Sequence, residues 1–128
     1  MLKRHSADSA GEPVKAVTDA AGLAAIRRQA ANVYIADSVC DYIVALVAAT
    51  RRSDYITRGA SPRASLAVAA MARATAWIDG RDYVVPEDVA GVLIDCLAHR
   101  VLFTPEGEDK RDEVLANILR ATPRPAIR

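Results

Sequence analysis

Apolar residues recur every three or four positions along most of the chain, which is the spacing of one face of an α-helix. The pattern predicts five helical segments joined by short polar stretches. They begin near positions 18, 37, 61 and 86, and the last segment follows an acidic loop around Gly107. The second segment should end near Arg51 and Arg52, because cations suit a helix C-terminus.

Polar residues and prolines indicate where these helices start. Thr18 and Asp37 are candidate N-caps, because their side-chain oxygens can accept a hydrogen bond from a first-turn N–H. Ser61 followed by Pro62 is another start signal, since proline at the first helical position lacks an N–H that would have no partner there. Residues 53–60 carry no periodicity and are predicted to form a loop.

The composition favours an all-α fold. Aromatic residues make up only 5% of the chain, and alanine, the residue with the best helix propensity, is the most frequent apolar residue. We therefore predict a small bundle of about five helices, with its core formed by the continuous apolar stripes. The predicted buried residues are Val39, Tyr42, Ile43, Leu46, Leu66, Trp77, Val89, Leu93, Cys96, Leu115 and Ile118.

Length and charge indicate one domain with a balanced surface. The 128 residues carry 17 Lys and Arg against 16 Asp and Glu, for a net charge of +1, so no general attraction to nucleic acid or to an anionic membrane is expected. Residues 1–17 resemble a flexible tail or linker, and residues 18–125 form the predicted helical domain. We find no signal peptide or membrane span and expect a cytoplasmic protein.

The sequence lacks the residues needed for a metal site or for independent catalysis. Cys40 and Cys96 lie far apart, so we expect no metal site, no disulfide framework and a reducing compartment. None of the three lysines follows a glycine, as the phosphate-binding P-loop requires. We therefore expect no ATP hydrolysis by this chain alone.

The start of the third helix is the most informative local feature. Ser61-Pro62-Arg63 places a guanidinium in a first turn, where the helix dipole is already positive and stability would favour a carboxylate. Such a conflict indicates a receptor for a phosphate or carboxylate. The alternative is an exposed arginine paired with an acidic neighbour, and the residues alone leave both possibilities open.

A local basic patch surrounds this motif. Arg51, Arg52, Arg58 and Arg63 against Asp54 give residues 50–63 a charge of +3. For the first three arginines, a helix C-terminal cap and solvated loop charges are the simpler interpretation.

Several ordered motifs together resemble the C-terminal lid of MoxR-type AAA+ ATPases. They are GASPRA at 59–64, an alanine-rich helix, DGRDYVVPEDV at 79–89 and HRV at 99–101, preceded by Tyr42-Ile43 and Thr50-Arg51. The resemblance covers roughly residues 20–122. One departure is Val85, which stands where the family usually has a threonine before Pro-Glu-Asp.

The resemblance implies a role in a larger ATPase. Arg63 would be the sensor 2 arginine, which reaches the γ-phosphate of ATP, and Ser61 and Pro62 would lie beside the nucleotide. ATP and Mg²⁺ would bind only in the complete ATPase, with none in this chain alone. Implied partners are the N-terminal AAA+ core of the same protein, neighbouring subunits of a hexamer, and a von Willebrand factor A domain protein; the implied activity is chaperone-like remodelling or assembly of other proteins.

A second hypothesis is a free-standing helical interaction module, such as a histone-like or DNA-binding bundle. In that case the patch at residues 50–63 would meet nucleic-acid phosphates. This hypothesis needs more basic surface than the chain offers.

Overall fold

The computed structural model describes residues 14–126 and is mostly helical in that range. The predicted all-α fold class is confirmed, with a small two-stranded sheet in addition. The predicted tail of residues 1–17 lies largely outside the described range, and residues 14–17 carry no helix or strand. The elements are α1 (Ala20–Ala31), α2 (Asp37–Ala49), a 3₁₀ turn (Thr50–Arg52), β1 (Ile56–Arg58), α3 (Arg63–Ile78), α4 (Pro86–Leu97), β2 (Leu102–Phe103), α5 (Pro105–Glu108) and α6 (Arg111–Ala121).

Helices α2, α3, α4 and α6 enclose the core. The predicted buried residues of α2 and α4 are confirmed, because all of them lie in the core. Cys96 belongs to this core, whereas Cys40 is half-buried. The buried side chains of these two helices include Val39, Tyr42, Ile43, Leu46, Val47, Val89, Leu93, Cys96 and Leu97.

The buried face of α3 differs from the predicted one. Leu66 is 71% exposed and Trp77 is only partly buried, so the expected burial of Leu66 is wrong. The helix instead buries Ala64, Val68, Ala72 and Ala76, spaced four residues apart. Small side chains on this face allow α3 to approach α2 and α4 closely.

Two predicted loops contain regular structure. Within residues 53–60, β1 pairs antiparallel with β2, with Ile56 opposite Phe103. The acidic segment around Gly107 forms the single turn α5, whose cap is Thr104: its hydroxyl accepts from the Gly107 N–H at 3.1 Å. The strand pairing depends on contacts between segments about 45 residues apart, and a local hydrophobic pattern cannot report such contacts.

Two helix starts lie one residue from the predicted positions. The cap of α1 is Asp19 rather than Thr18, and its Oδ1 accepts from the Gly22 N–H at 2.8 Å. Asp37 is the first residue of α2 and not its N-cap, which is Ala36. In that position its carboxylate still lies at the positive end of the helix dipole.

The connection between α3 and α4 is extended and ties the end of α1 to the bundle. Tyr34 and Tyr83 form an isolated parallel bridge, in which the Tyr34 N–H donates to the Asp82 carbonyl and the Val84 N–H donates to the Tyr34 carbonyl, both at 2.9 Å. Arg73 Nε also donates to the Val33 carbonyl at 3.0 Å. No helix among residues 14–126 is long and apolar enough to cross a membrane.

Candidate functional site

The first turn of α3 presents Arg63 at the surface. Helix α3 begins at Arg63, and the preceding Pro62 already has helical dihedral angles of φ −54° and ψ −29°. The predicted capping hydroxyl is not used, since no side chain caps this helix. Instead, the carbonyls of Ser61 and Pro62 accept from the N–H groups of Ala64 and Ser65, at 2.9 and 3.1 Å. Because these amides are occupied, the guanidinium is the principal anion donor at this helix end.

The Arg63 guanidinium has no acidic partner in the described part of the chain. The ion pairs found among residues 14–126 involve other arginines, and the hydrogen bonds recorded there do not include the Arg63 side chain. The alternative of a surface ion pair therefore finds no support within these residues. An exposed, unneutralised cation at a helix N-terminus is suited to bind a phosphate group.

An exposed apolar surface adjoins Arg63. Leu66 follows one turn later on the same side of α3, and Ala70 follows one turn after that, also exposed. Leucine at 71% exposure beside an arginine leaves an uncovered apolar strip next to the candidate anion site. The helix thus presents a charge and an adjoining apolar contact to the same side.

The loop before α3 is fixed to the end of α2. Thr50 is fully buried, and its Oγ1 accepts from the Ala60 N–H at 2.9 Å while donating to the Val47 carbonyl at 2.6 Å. Arg51 Nε donates to the Ala60 carbonyl at 3.1 Å. Arg51 is exposed in the turn that ends α2 and also makes this specific contact with the backbone of the loop. Arg52 and Arg58 are exposed, as the interpretation of solvated charges expects.

A second polar cluster holds the start of α4. Arg81 reaches both carboxylate oxygens of Asp88, from Nη1 to Oδ2 at 2.8 Å and from Nη2 to Oδ1 at 2.7 Å, and it also bonds Asp79 and the Tyr83 carbonyl. The Val85 N–H donates to Asp88 Oδ2 at 2.8 Å. This bond is one half of a capping box, and the other half is absent because Val85 has no hydroxyl to accept from the Asp88 N–H. The hydrophobic pattern gives no sign of this cluster, although an arginine near an acidic first helical turn is a visible signal in the sequence.

The charges of this cluster change the acidity of Asp88. Burial alone would raise the pKa of its carboxyl group, but the hydrogen bonds from Arg81 and the Val85 N–H, together with the Arg81 charge, hold that pKa below its ordinary value. Asp88 is thus a buried carboxylate that stays ionised. Since all its partners are within the fold, its role is to join the end of α3 to α4.

A groove of about 850 Å³ lies elsewhere on the domain, beside the start of α2. Its lining includes Tyr34, Ser38, Asp82 and Tyr83 and does not include Ser61, Pro62 or Arg63. Cys96 packs in the core, and this burial raises the pKa of its thiol. The thiol is therefore a poor nucleophile.

Two comparisons with known proteins match the part of the chain that carries these residues. The family model of the AAA lid domain matches residues 48–118, which include both Arg63 and the Arg81–Asp88 cluster. The chain is also 38% identical over 99 residues to Chaperone MoxR1 of Mycobacterium tuberculosis, covering 70% of this chain and 26% of that protein. The chain belongs to the AAA lid domains of the MoxR type.

Two further similarities extend the match. Protein MoxR of Methylorubrum extorquens is 41% identical over 63 residues, which is 49% of this chain and 18% of that protein. A solved structure from Cytophaga hutchinsonii, provisionally described as an ATPase, superposes with a TM-score of 0.71 at 33% identity, covering 77% of this chain and 34% of that one. The MoxR-type lid thus spans about a quarter of the length of the first of these relatives.

Proposed function

We propose that this lid supplies Arg63 as the sensor 2 residue of a complete AAA+ ATPase. The observation that carries the proposal is the exposed guanidinium in the first turn of α3, without an acidic partner among residues 14–126. Its role is to contact the γ-phosphate of ATP, with Ser61 and Pro62 beside the nucleotide. A planar two-pronged donor is suited to oxygens of a phosphoryl group that is being transferred.

ATP itself binds mainly to another part of the polypeptide. We assign residues 18–125 to the lid and residues 1–17 to a tail or linker, and the N-terminal AAA+ core of the same protein holds ATP with Mg²⁺. The described residues contain no group of three His, Cys, Asp or Glu that could hold a metal ion. The exposed strip of Leu66 and Ala70 supports a protein contact beside Arg63.

The biological role that we propose follows from the family. One relative is named a chaperone, and we propose that nucleotide-driven motion of this lid drives chaperone-like remodelling or assembly of partner proteins. The ATPase would act in the cytoplasm as a hexamer with neighbouring subunits, together with a von Willebrand factor A domain partner.

Steady-state hydrolysis by the complete ATPase tests this proposal. Arg63→Ala should reduce turnover by about 100-fold or more, since loss of one pre-organised donor to transition-state charge costs that much. Arg63→Lys should restore little, because lysine keeps the charge and loses the two-pronged geometry. Arg52→Ala is the matched control, as it removes an exposed arginine of the same patch and should leave turnover unchanged. Full activity of Arg63→Ala would exclude Arg63 from the site.

A further inference from the structure

Both backbone groups of Ala60 are bonded by two consecutive residues of the turn after α2. The buried Thr50 hydroxyl accepts from the Ala60 N–H at 2.9 Å, and Arg51 Nε donates to the Ala60 carbonyl at 3.1 Å. Thr50 is itself fixed, because its hydroxyl donates to the Val47 carbonyl at 2.6 Å. The Ala60 backbone is therefore tied to α2 through both its donor and its acceptor.

Gly59, which precedes Ala60, is packed tightly against Arg51. A Cβ added to Gly59 would lie 2.5 Å from Arg51 Cγ, 2.7 Å from the Arg51 backbone nitrogen and 2.8 Å from its Cα. Contacts this short do not occur between non-bonded atoms, so the Gly59 backbone already lies directly against Arg51. Ala60 is also fully buried. The loop is thus closely packed as well as hydrogen-bonded at this point.

The two hydrogen bonds to the Ala60 backbone lie immediately before the candidate site. Only Ser61 and Pro62 separate Ala60 from Arg63, and the ring of Pro62 fixes one backbone angle. Ser61 is also bonded to the first turn of α3, since its carbonyl accepts from the Ala64 N–H at 2.9 Å, so a displacement of Ala60 would shift that turn. The Thr50 hydroxyl, which holds the Ala60 N–H, is itself bonded to Val47 on the buried face of α2. The position of Ala60 is therefore set by the domain core.

We propose that Thr50 and Arg51 are positioning residues, which hold the Gly59-Ala60 backbone and thereby set the place and direction of the Arg63 guanidinium. The proposal rests on the proposed function of Arg63. Neither residue needs to touch the nucleotide. Their effect on hydrolysis passes through Arg63 alone, and this distinguishes a positioning role from a general contribution to stability.

The test uses the complete ATPase and measures kcat and KM for ATP beside a thermal melt. Thr50→Val keeps the shape and removes the hydroxyl, so kcat should fall about 10- to 100-fold, the range expected for a misplacement of around 1 Å. Thr50→Ser should restore most of the loss because it returns the hydroxyl. Arg51→Lys alters an exposed side chain, so the variant should fold, and it should lower kcat because the Nε donor is lost.

The matched control is Thr75→Val. Thr75 Oγ1 also donates to a carbonyl of its own helix, that of Met71 at 3.1 Å, three turns along α3 from Arg63. It removes the same kind of bond and should leave kcat unchanged.

Combining Thr50→Val with Arg63→Ala distinguishes a positioning role from a general effect on activity. On that background, Thr50→Val should cause no further loss of kcat, since the residue that it positions is gone. An equal loss on both backgrounds would overturn the positioning role, as would unchanged kcat in Thr50→Val and Arg51→Lys while Arg63→Ala is impaired. In this last case the sensor role of Arg63 stands and only the positioning proposal fails, whereas a silent Arg63→Ala overturns both.

Discussion

Arg81 and Asp88 face each other as a two-pronged ion pair, with N–O distances of 2.8 and 2.7 Å. The Asp88 side chain is only 4% exposed, while that of Arg81 is 24% exposed. The pair joins the turn after α3 to the first turn of α4, which carries much of the core. It belongs to the framework that supports the candidate site and not to the site itself.

The pair predicts an acid-sensitive fold. Because the pKa of Asp88 is lower in the folded protein than in the unfolded chain, the unfolded state binds the proton more tightly. The stability from this group is then fully present above the unfolded value, about pH 4, and is lost as the pH falls through the folded pKa. Urea unfolding from pH 7 to pH 3 should show this loss.

Removing the Asp88 charge should abolish that part of the acid response. Asp88→Asn should cost about 1–3 kcal/mol at pH 7, because charged hydrogen bonds in a buried place are lost. Glu87→Gln is the control in the same helical turn: Glu87 is 66% exposed and lies 3.5 Å from Arg124, so it should change stability by less than about 1 kcal/mol. Equal effects of the two substitutions would show that the Asp88 pair contributes nothing special.

The unexpected face of α3 predicts contrasting effects for two leucines. Leu93 is fully buried in α4, so Leu93→Ala should cost about 2–5 kcal/mol of unfolding free energy. Leu66 is mostly exposed, and Leu66→Ala should stay within about 0.5 kcal/mol of the unsubstituted chain. Chemical denaturation of this chain measures both, and a large loss in Leu66→Ala would contradict the observed face.

Two glycines predict opposite signs for the same substitution. At Gly59 a Cβ would collide with Arg51, so Gly59→Ala should destabilise the chain by about 1–3 kcal/mol through overpacking. Gly91 lies exposed within α4 with nothing within 4 Å of the added carbon. Gly91→Ala should stabilise the chain by about 0.5–1 kcal/mol, because alanine loses less backbone entropy in a helix. Thermal melts of the two variants compare them directly, and a Gly59→Ala variant as stable as the original would refute the close contact.

Local patterns predicted the buried faces of α2 and α4 well because charged residues mark their exposed sides, namely Asp37 and Asp41 in α2 and Glu87 and Asp95 in α4. The same method failed for α3, where apolar letters occupy nearly every face and the periodicity cannot decide between Leu66 and Val68. The exposed side of α3 is also the side that bears Arg63. We propose that this side contacts another part of the ATPase, and an apolar contact surface has the same sequence pattern as a core face.

The candidate site was predictable only where it depends on neighbouring residues in the sequence. The placement of Arg63 in a first helical turn depends on its neighbours Ser61 and Pro62, and the structure has it there. The hold of Thr50 and Arg51 on Ala60 joins residues nine and ten positions apart through side-chain to backbone bonds. Both bonds use backbone atoms of residue 60, so the alanine side chain gives no sign of them. Sequence patterns alone could therefore not predict this contact.

The difference between ATP and ADP affinity tests the central proposal most directly, because the two nucleotides differ by the phosphate that Arg63 is proposed to contact. In the complete ATPase, Arg63→Ala should weaken binding of a non-hydrolysable ATP analogue by about 10-fold or more, the equivalent of one charged hydrogen bond, and leave ADP binding unchanged. Arg52→Ala should alter neither affinity. Equal weakening of both nucleotides by Arg63→Ala, or no weakening of either, would contradict a contact between Arg63 and the γ-phosphate.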